Sequence, residues 1–135
     1  MDFGSLLKNS LSPDKTIRQQ AESTINNLCE NSFEETLFSL SLELANNLAS
    51  KQNRQLAGTL IRNLILGYNQ FKGKYLSLNQ ITRDKIKCTI TSCLVLNDSV
   101  LQSTAALITA SKIFLMKQFA RSNCLLNCGL KLYLL

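Results

Sequence analysis

The chain has 135 residues, of which 45% are apolar and 18% charged, with a single proline and a net charge of +6; it suits one domain or a short array of repeats and excludes a disordered segment. The charge is uneven: residues 1–50 hold three Lys/Arg against seven Asp/Glu, or −4, and residues 51–135 hold twelve against two, or +10. The bases of the second half (Lys72, Lys74, Arg83, Lys85, Lys87, then Lys112, Lys117, Arg121) are scattered and not interleaved with aromatics, which argues for solvated helix faces over a nucleic-acid platform.

Phe3, Leu6 and Leu7 predict a short amphipathic helix ending near Ser10. Ser12-Pro13-Asp14 then reads as a start signal, with a hydroxyl N-cap, proline at the first helical position and an acid in the first turn. The second helix is expected to run to about Glu30, burying Ile17, Ala21, Thr24, Ile25 and Leu28 and leaving Gln19, Glu22 and Asn26 outside. After Asn31-Ser32, the row Phe33, Leu37, Leu40, Leu44 and Leu48 predicts a third helix ending near Ala49-Ser50.

The next stretch, Arg54-Gln-Leu-Ala57-Gly58-Thr-Leu-Ile61-Arg62-Asn63-Leu-Ile65-Leu, organises the chain. Leu56, Ala57, Leu60, Ile61, Leu64 and Ile65 cover about half of a helix circumference, so this helix is expected to be gripped on two sides, with Leu56, Leu60 and Leu64 in the core. Gly58, which costs about 1 kcal/mol relative to alanine in a helix interior, predicts close approach of a neighbouring helix. Gln55, Thr59, Arg62 and Asn63 form a thin polar strip. The short connection to the third helix predicts an antiparallel pair.

Gly67 to Lys74 reads as a loop. Ser77-x-x-Gln80 reads as a capping box for a fifth helix that buries Ile86, Ile90 and Cys93. Asn97-Asp98-Ser99 breaks it and opens a sixth, with Leu101, Ala105 and Ile108 as one buried row. The last segment, residues 114–135, is leucine-rich, with a tail whose alternation does not choose between helix and strand.

No run of about 18 uninterrupted apolar residues predicts a membrane-spanning helix, and Met1-Asp2-Phe3-Gly4 places an acid where a signal peptide carries basic charge, so a soluble, intracellular protein is expected. Five cysteines, an odd number without a Cys-x-x-Cys pair, argue against a disulfide framework. Cys124 and Cys128 would share a helix face, yet the chain has no histidine, and small buried apolar side chains are the better reading than metal ligands. An enzyme is not expected either: there is no general-base histidine, no phosphate loop and no paired carboxylates beyond Glu34-Glu35, which helix-dipole complementarity explains. No cofactor is anticipated.

Arg54-x-x-Ala57-Gly58-x-x-Ile61-Arg62-Asn63 resembles the second helix of the second HEAT repeat in importin-β (karyopherin-β) nuclear transport receptors, where a basic residue and two small residues precede Lys or Arg followed by Asn. The resemblance is collinear from Ser12-Pro13-Asp14 to about Tyr68, weakens through a third repeat and is lost after about Ile113. Beside it stands an internal repeat: Arg18-Gln-Gln-Ala21-Glu22, Arg54-Gln-Leu-Ala57-Gly58 and Gln102-Ser-Thr-Ala105-Ala106 each open on a long polar residue and place alanine three later. We therefore expect an all-α, right-handed HEAT superhelix, residues 1–113, of three helix pairs (1–30, 32–68 and 77–113) with second helices lining the concave side, followed by a divergent leucine-rich segment 114–135 in which the chain either ends as a fragment or early-terminated product or folds its apolar tail over the open end.

What the resemblance implies is binding of the GTPase Ran in its GTP form by those second helices, as the N-terminal part of a nuclear import receptor moving between cytoplasm and nucleus through the nuclear pore. Arg62 takes the position of a family cation that contacts Ran, and Asn63 stands next to it. Tyr68 departs from the lysine often found there, leaving Lys72 or Lys74 as alternative cations. Gln19, Glu22 and Gln102 are added from facing alone. Importin-α or cargo and Phe-Gly nucleoporins would need the further repeats of a longer chain. A three-repeat interface is expected to bind in the micromolar range or weaker, because both area and hot spots are reduced. The alternatives from the residues themselves are a HEAT-repeat scaffold for some other protein and, less favoured, a basic helical nucleic-acid binder.

Overall fold

The computed structural model describes residues 2–67, 71, 73–95, 98–110 and 113; the leucine-rich segment 114–135 and Tyr68 lie outside these. The described residues form helices joined by short turns, without a strand. In order they are α1 (Phe3–Ser10), α2 (Lys15–Asn31), α3 (Phe33–Ala45), α4 (Lys51–Leu66), the single turn α5 (Lys74–Ser77), α6 (Gln80–Ser92), a 3₁₀ turn at Cys93–Val95, and α7 at residues 99–110.

Every long helix but α3, whose N-cap Ser32 makes no side-chain cap bond, starts where a side chain satisfies its free N–H groups. Asp2 Oδ1 accepts from Gly4 N at 3.1 Å, Ser50 Oγ from Asn53 N at 3.2 Å, and Asp98 Oδ1 from Val100 N at 2.9 Å and Leu101 N at 3.2 Å. Two expected starts move. The cap of α2 is Asp14, whose Oδ1 accepts from Thr16 N at 2.8 Å and Ile17 N at 3.2 Å. Ser12 instead accepts from Asp14 N at 3.1 Å, closing the turn before it. Asn79 likewise displaces Ser77 as the cap of α6, accepting from Thr82 N at 2.8 Å, while Ser77 Oγ donates to Lys74 O within the unforeseen α5.

Helix ends are equally local. Gly67, at φ 69°, closes α4 in the left-handed region, donating to Asn63 O at 3.0 Å, a conformation costly for a residue with a Cβ. The third helix stops at Ala45, short of the expected Ala49-Ser50: Asn46 folds a turn in which its Oδ1 accepts from Leu48 N at 3.0 Å. Leu48, expected in the apolar row, is consequently 96% exposed.

The helices pack as pairs, α1 on α2 and α3 on α4, with α6 laid along α3. One core joins them: Leu7, Ile25 and Cys29, then Leu37, Leu40 and Leu44, Ala57, Ile61 and Ile65, Ile86, Ile90 and Cys93, and finally Leu101, Ala105 and Ile108. The expected rows of α6 and α7 are thus buried as read. In α2 the row is Ala21-Ile25-Cys29, with Thr24 and Leu28 half-buried and Ile17 exposed. In α4, Leu64 is buried, but Leu56 and Leu60 are half-buried at the core's edge.

The repeated basic residue explains itself in this frame. Arg54 is only 8% exposed, and its Nε donates to Leu44 O, in the last turn of α3, at 2.8 Å. One pair earlier, Arg18 Nη1 donates to Ser12 O, in the turn leaving α1, at 3.0 Å. In both pairs the second helix reaches back to the chain leaving the first; at Leu44 the bond falls in the last turn of α3, where the macrodipole favours a cation.

Candidate functional site

The polar strip of α4 is set by which of its faces the core takes. Ala57, Gly58, Ile61, Leu64 and Ile65 are buried, and at 100° per residue they occupy one arc. Gln55, Thr59, Arg62 and Asn63 fall on the other; Thr59 and Asn63 are exposed, and Gln55 and Arg62 are half-buried. Arg62 and Asn63, adjacent in sequence, stand about 100° apart on that arc. Arg62 lies on the flank next to Gly58, and Asn63 points away from it.

Gly58 fixes what lies on that flank. A Cβ there would collide with the Thr104 methyl and touch Leu44 Cδ1 at 3.5 Å, so the missing side chain is what lets α7 lie against α4. The ion pair Lys51 Nζ–Asp98 Oδ2, 3.5 Å, ties their N-terminal ends. This is the close neighbour that a glycine inside an apolar helix face predicted.

On α2, Gln19 and Glu22 are both exposed on a common strip with Asn26, opposite the Ala21-Ile25-Cys29 row. Gln102 is half-buried on α7, but it sits about 160° around the helix from Thr104, on the flank turned away from α4. The geometry therefore groups Arg62 with the α4–α7 seam and leaves Gln102 apart from it. The seam's α7 side is formed by Val100 and Leu107, both exposed, which sequence reasoning did not single out; the signal was two apolar residues each one position, about 100°, before the buried row.

Lys74, considered as a substitute cation near Tyr68, is engaged elsewhere. Its Nζ lies 5.8 Å from the Phe33 ring centre and 5.5 Å from that of Phe71, the two rings stacking at 6.2 Å, and it donates to Glu30 O at 3.3 Å. It serves to hold the loop after α4 on the α2–α3 turn.

The chemistry of the remaining groups is that of packing. Burial, with help from the neighbouring Glu30 carboxylate, pushes the Cys29 thiol up to about 11; burial also pushes the Tyr75 phenol up to about 12 and raises the Cys93 thiol. These thiols are held protonated, the opposite of what a nucleophile or metal ligand requires, and no group of three or more candidate metal ligands exists among the described residues. No described helix is long and apolar enough to cross a membrane. A cavity of about 400 Å³ opens at the turns of the first two pairs, between Lys8, Leu11 and Pro13 on one side and Ser50, Gln52 and Asn53 on the other; none of the residues singled out for binding lines it.

The family described as the Importin-beta N-terminal domain matches residues 21–95, more than half of the chain. Importin subunit beta-1 of Arabidopsis thaliana is 29% identical over 115 residues, which cover 82% of this chain and 13% of that protein. A crystal structure of importin beta in an ammonium sulfate condition superposes with a TM-score of 0.78 at 27% identity, covering 92% of this chain and 15% of that one. A structure of Kap95p, whose binding induces the switch loops of RanGDP to adopt the GTP-bound conformation, superposes at 0.75 with 25% identity, over 81% of this chain and 14% of that one. The fold is thus that of the HEAT-repeat solenoids, and the chain spans about an eighth of the curated relative's length.

Proposed function

From the premise that this chain belongs to the importin-β N-terminal domain family, we propose that it is the Ran-binding N-terminal part of a nuclear import receptor, acting between cytoplasm and nucleus. Its three helix pairs, residues 1–30, 32–68 and 77–113, act as HEAT repeats whose second helices α2, α4 and α7 offer the docking surface. It is a binding module and not a catalyst.

The observation that carries this reading is the outer arc of α4. A single guanidinium, Arg62, stands among neutral polar groups on a helix without a carboxylate, and the helix is fixed rigidly by the Arg54 clamp and the Gly58 contact. Such a cation on a preorganised helix suits an acidic patch on a GTPase. We count Asn63 on α4, Gln19 and Glu22 on α2, Gln102 on α7 and, by its place in the sequence, Tyr68 among the contacts. Kap95p acts on the switch loops of Ran, so the preference is expected to follow the GTP conformation of those loops.

The test is binding of the chain to Ran loaded with a non-hydrolysable GTP analogue or with GDP. The GTP-analogue form is expected to bind, with a Kd in roughly the micromolar range, and Arg62→Glu is expected to weaken it at least about tenfold. Equal binding of the two nucleotide forms, or an indifferent Arg62→Glu variant, would reject the proposal. An unaltered helical fold that binds neither form would point to a scaffold for another protein.

A further inference from the structure

We infer that the cavity at the turns of the first two pairs is a second binding site, which takes an extended peptide segment carrying a carboxylate next to an apolar side chain. The cavity, about 400 Å³, falls within the usual size of ligand clefts. The turn leaving α1 forms one wall, and the cap and first turn of α4 form the other. Its hydrogen-bonding groups are already half committed. Ser12 Oγ accepts from Asp14 N at 3.1 Å, and Ser50 Oγ accepts from Asn53 N at 3.2 Å. Each hydroxyl is thereby held in place as an acceptor and keeps its own O–H to donate. Asn53, only 9% exposed, spends its Nδ2 on Gly4 O at 3.0 Å and keeps its Oδ1 to accept an incoming N–H.

Lys8, exposed in the last turn of α1, adds an ammonium, and none of the described lining residues has a carboxylate. The acid nearest in sequence, Asp14, is committed to the first N–H groups of α2. Two hydroxyls and an ammonium make the cavity rich in donors, which suits an anionic oxygen pair. Leu11, 47% exposed, and Pro13 supply an apolar wall. A free inorganic anion would leave that wall and the Asn53 acceptor unused. A peptide segment engages all three: its carboxylate meets Lys8 and the hydroxyls, a main-chain N–H meets Asn53, and its apolar side chain covers Leu11 and Pro13. Arg62 lies nine residues beyond Asn53 on α4, about 14 Å along the helix axis, so this site is separate from the one proposed for the GTPase.

The experiment titrates the full chain with the blocked tetrapeptide acetyl-Ala-Leu-Asp-Ala-amide, followed through backbone amide resonances by two-dimensional NMR. Saturable shifts are expected at residues 8–14 and 50–53. Asparagine in place of the peptide's aspartate, or Lys8→Ala in the protein, is expected to weaken binding about fivefold, and the two together no more than either alone. Alanine in place of the peptide's leucine should weaken it by at least as much. Lys8 is exposed, so an unchanged urea midpoint for Lys8→Ala separates a lost contact from lost structure. Arg62→Glu should leave the titration unaltered while weakening Ran binding, so the two readings fail separately. The absence of saturable shifts at the cavity, equal affinity for the asparagine peptide, or the same shifts from sodium acetate alone would overturn the site.

Discussion

Replacing Gly58 by alanine tests the packing on which the α4 surface depends. On propensity alone the change stabilises a helix interior by about 1 kcal/mol. Against this, the new methyl would collide with the Thr104 methyl, and overpacking of this kind costs about 1–3 kcal/mol. Thr104 has little freedom to yield: it is β-branched, and its Oγ1 donates to Val100 O at 2.9 Å, a bond lost if the side chain rotates. The expected net effect is a loss of about 1 kcal/mol in urea unfolding followed by circular dichroism. Thr104→Ser keeps the hydroxyl and removes the obstructing methyl, leaving Leu44 Cδ1 at 3.5 Å and Cβ of residue 104 at 3.6 Å, both ordinary contacts. In that background Gly58→Ala is expected to stabilise by about 0.5–1 kcal/mol, so the double-mutant cycle should show a coupling of about 1.5–2 kcal/mol. Equal stabilisation in both backgrounds would refute the close approach of α4 and α7.

Two further predictions follow from buried groups. Arg54→Ala should destabilise by about 2–3 kcal/mol in the same unfolding assay, through loss of a charge-assisted bond to the end of α3, with Arg54→Lys recovering only part because an ammonium lacks the planar fork; a change below about 0.5 kcal/mol would mean the clamp is incidental. The raised Cys29 thiol sets a pH dependence: its proton is retained in the fold up to about 11 but lost from the unfolded chain near 8.5. The unfolded state then binds fewer protons, so this contribution is full below the unfolded value and declines as pH rises toward the folded one. Urea midpoints measured between pH 8 and 11 should fall, and fall less steeply in Cys29→Ala; peptide-level alkylation of the native chain should mark exposed Cys88 well before buried Cys29 and Cys93.

The architecture was legible because it is written in periodicity. The rows Ile86-Ile90-Cys93 and Leu101-Ala105-Ile108 each repeat at three and four and are buried as read, and Gly58 announced its neighbour before that neighbour was placed. Boundaries were less legible where two residues compete for one role. Ser12 and Asp14 both suit an N-cap, and the carboxylate, which accepts from two N–H groups at once, holds it. Leu48 continues the spacing of α3, yet the side chain of Asn46 bonds the backbone two residues on and ends the helix first. The polar strip of α4 was legible, because the apolar arc takes the opposite side of the helix. Which flank of α7 faces α4 was not legible, because that depends on which side α4 occupies, a tertiary fact absent from the helix itself.

The arginine clamps divide the molecule's stiffness unequally. Inside each of the first two pairs, a guanidinium ties the second helix back to the chain leaving the first, so each behaves as a solid plate. Between the second pair and the third, α6 lies along α3 in the shared core, whereas α4 and α7 meet through an ion pair between half-solvated groups, Lys51 and Asp98, and a smooth glycine-on-methyl bearing. Such a stack yields by hinging at the bearing and not by bending the plates. A protein seated astride that bearing would set the pitch of the whole spring.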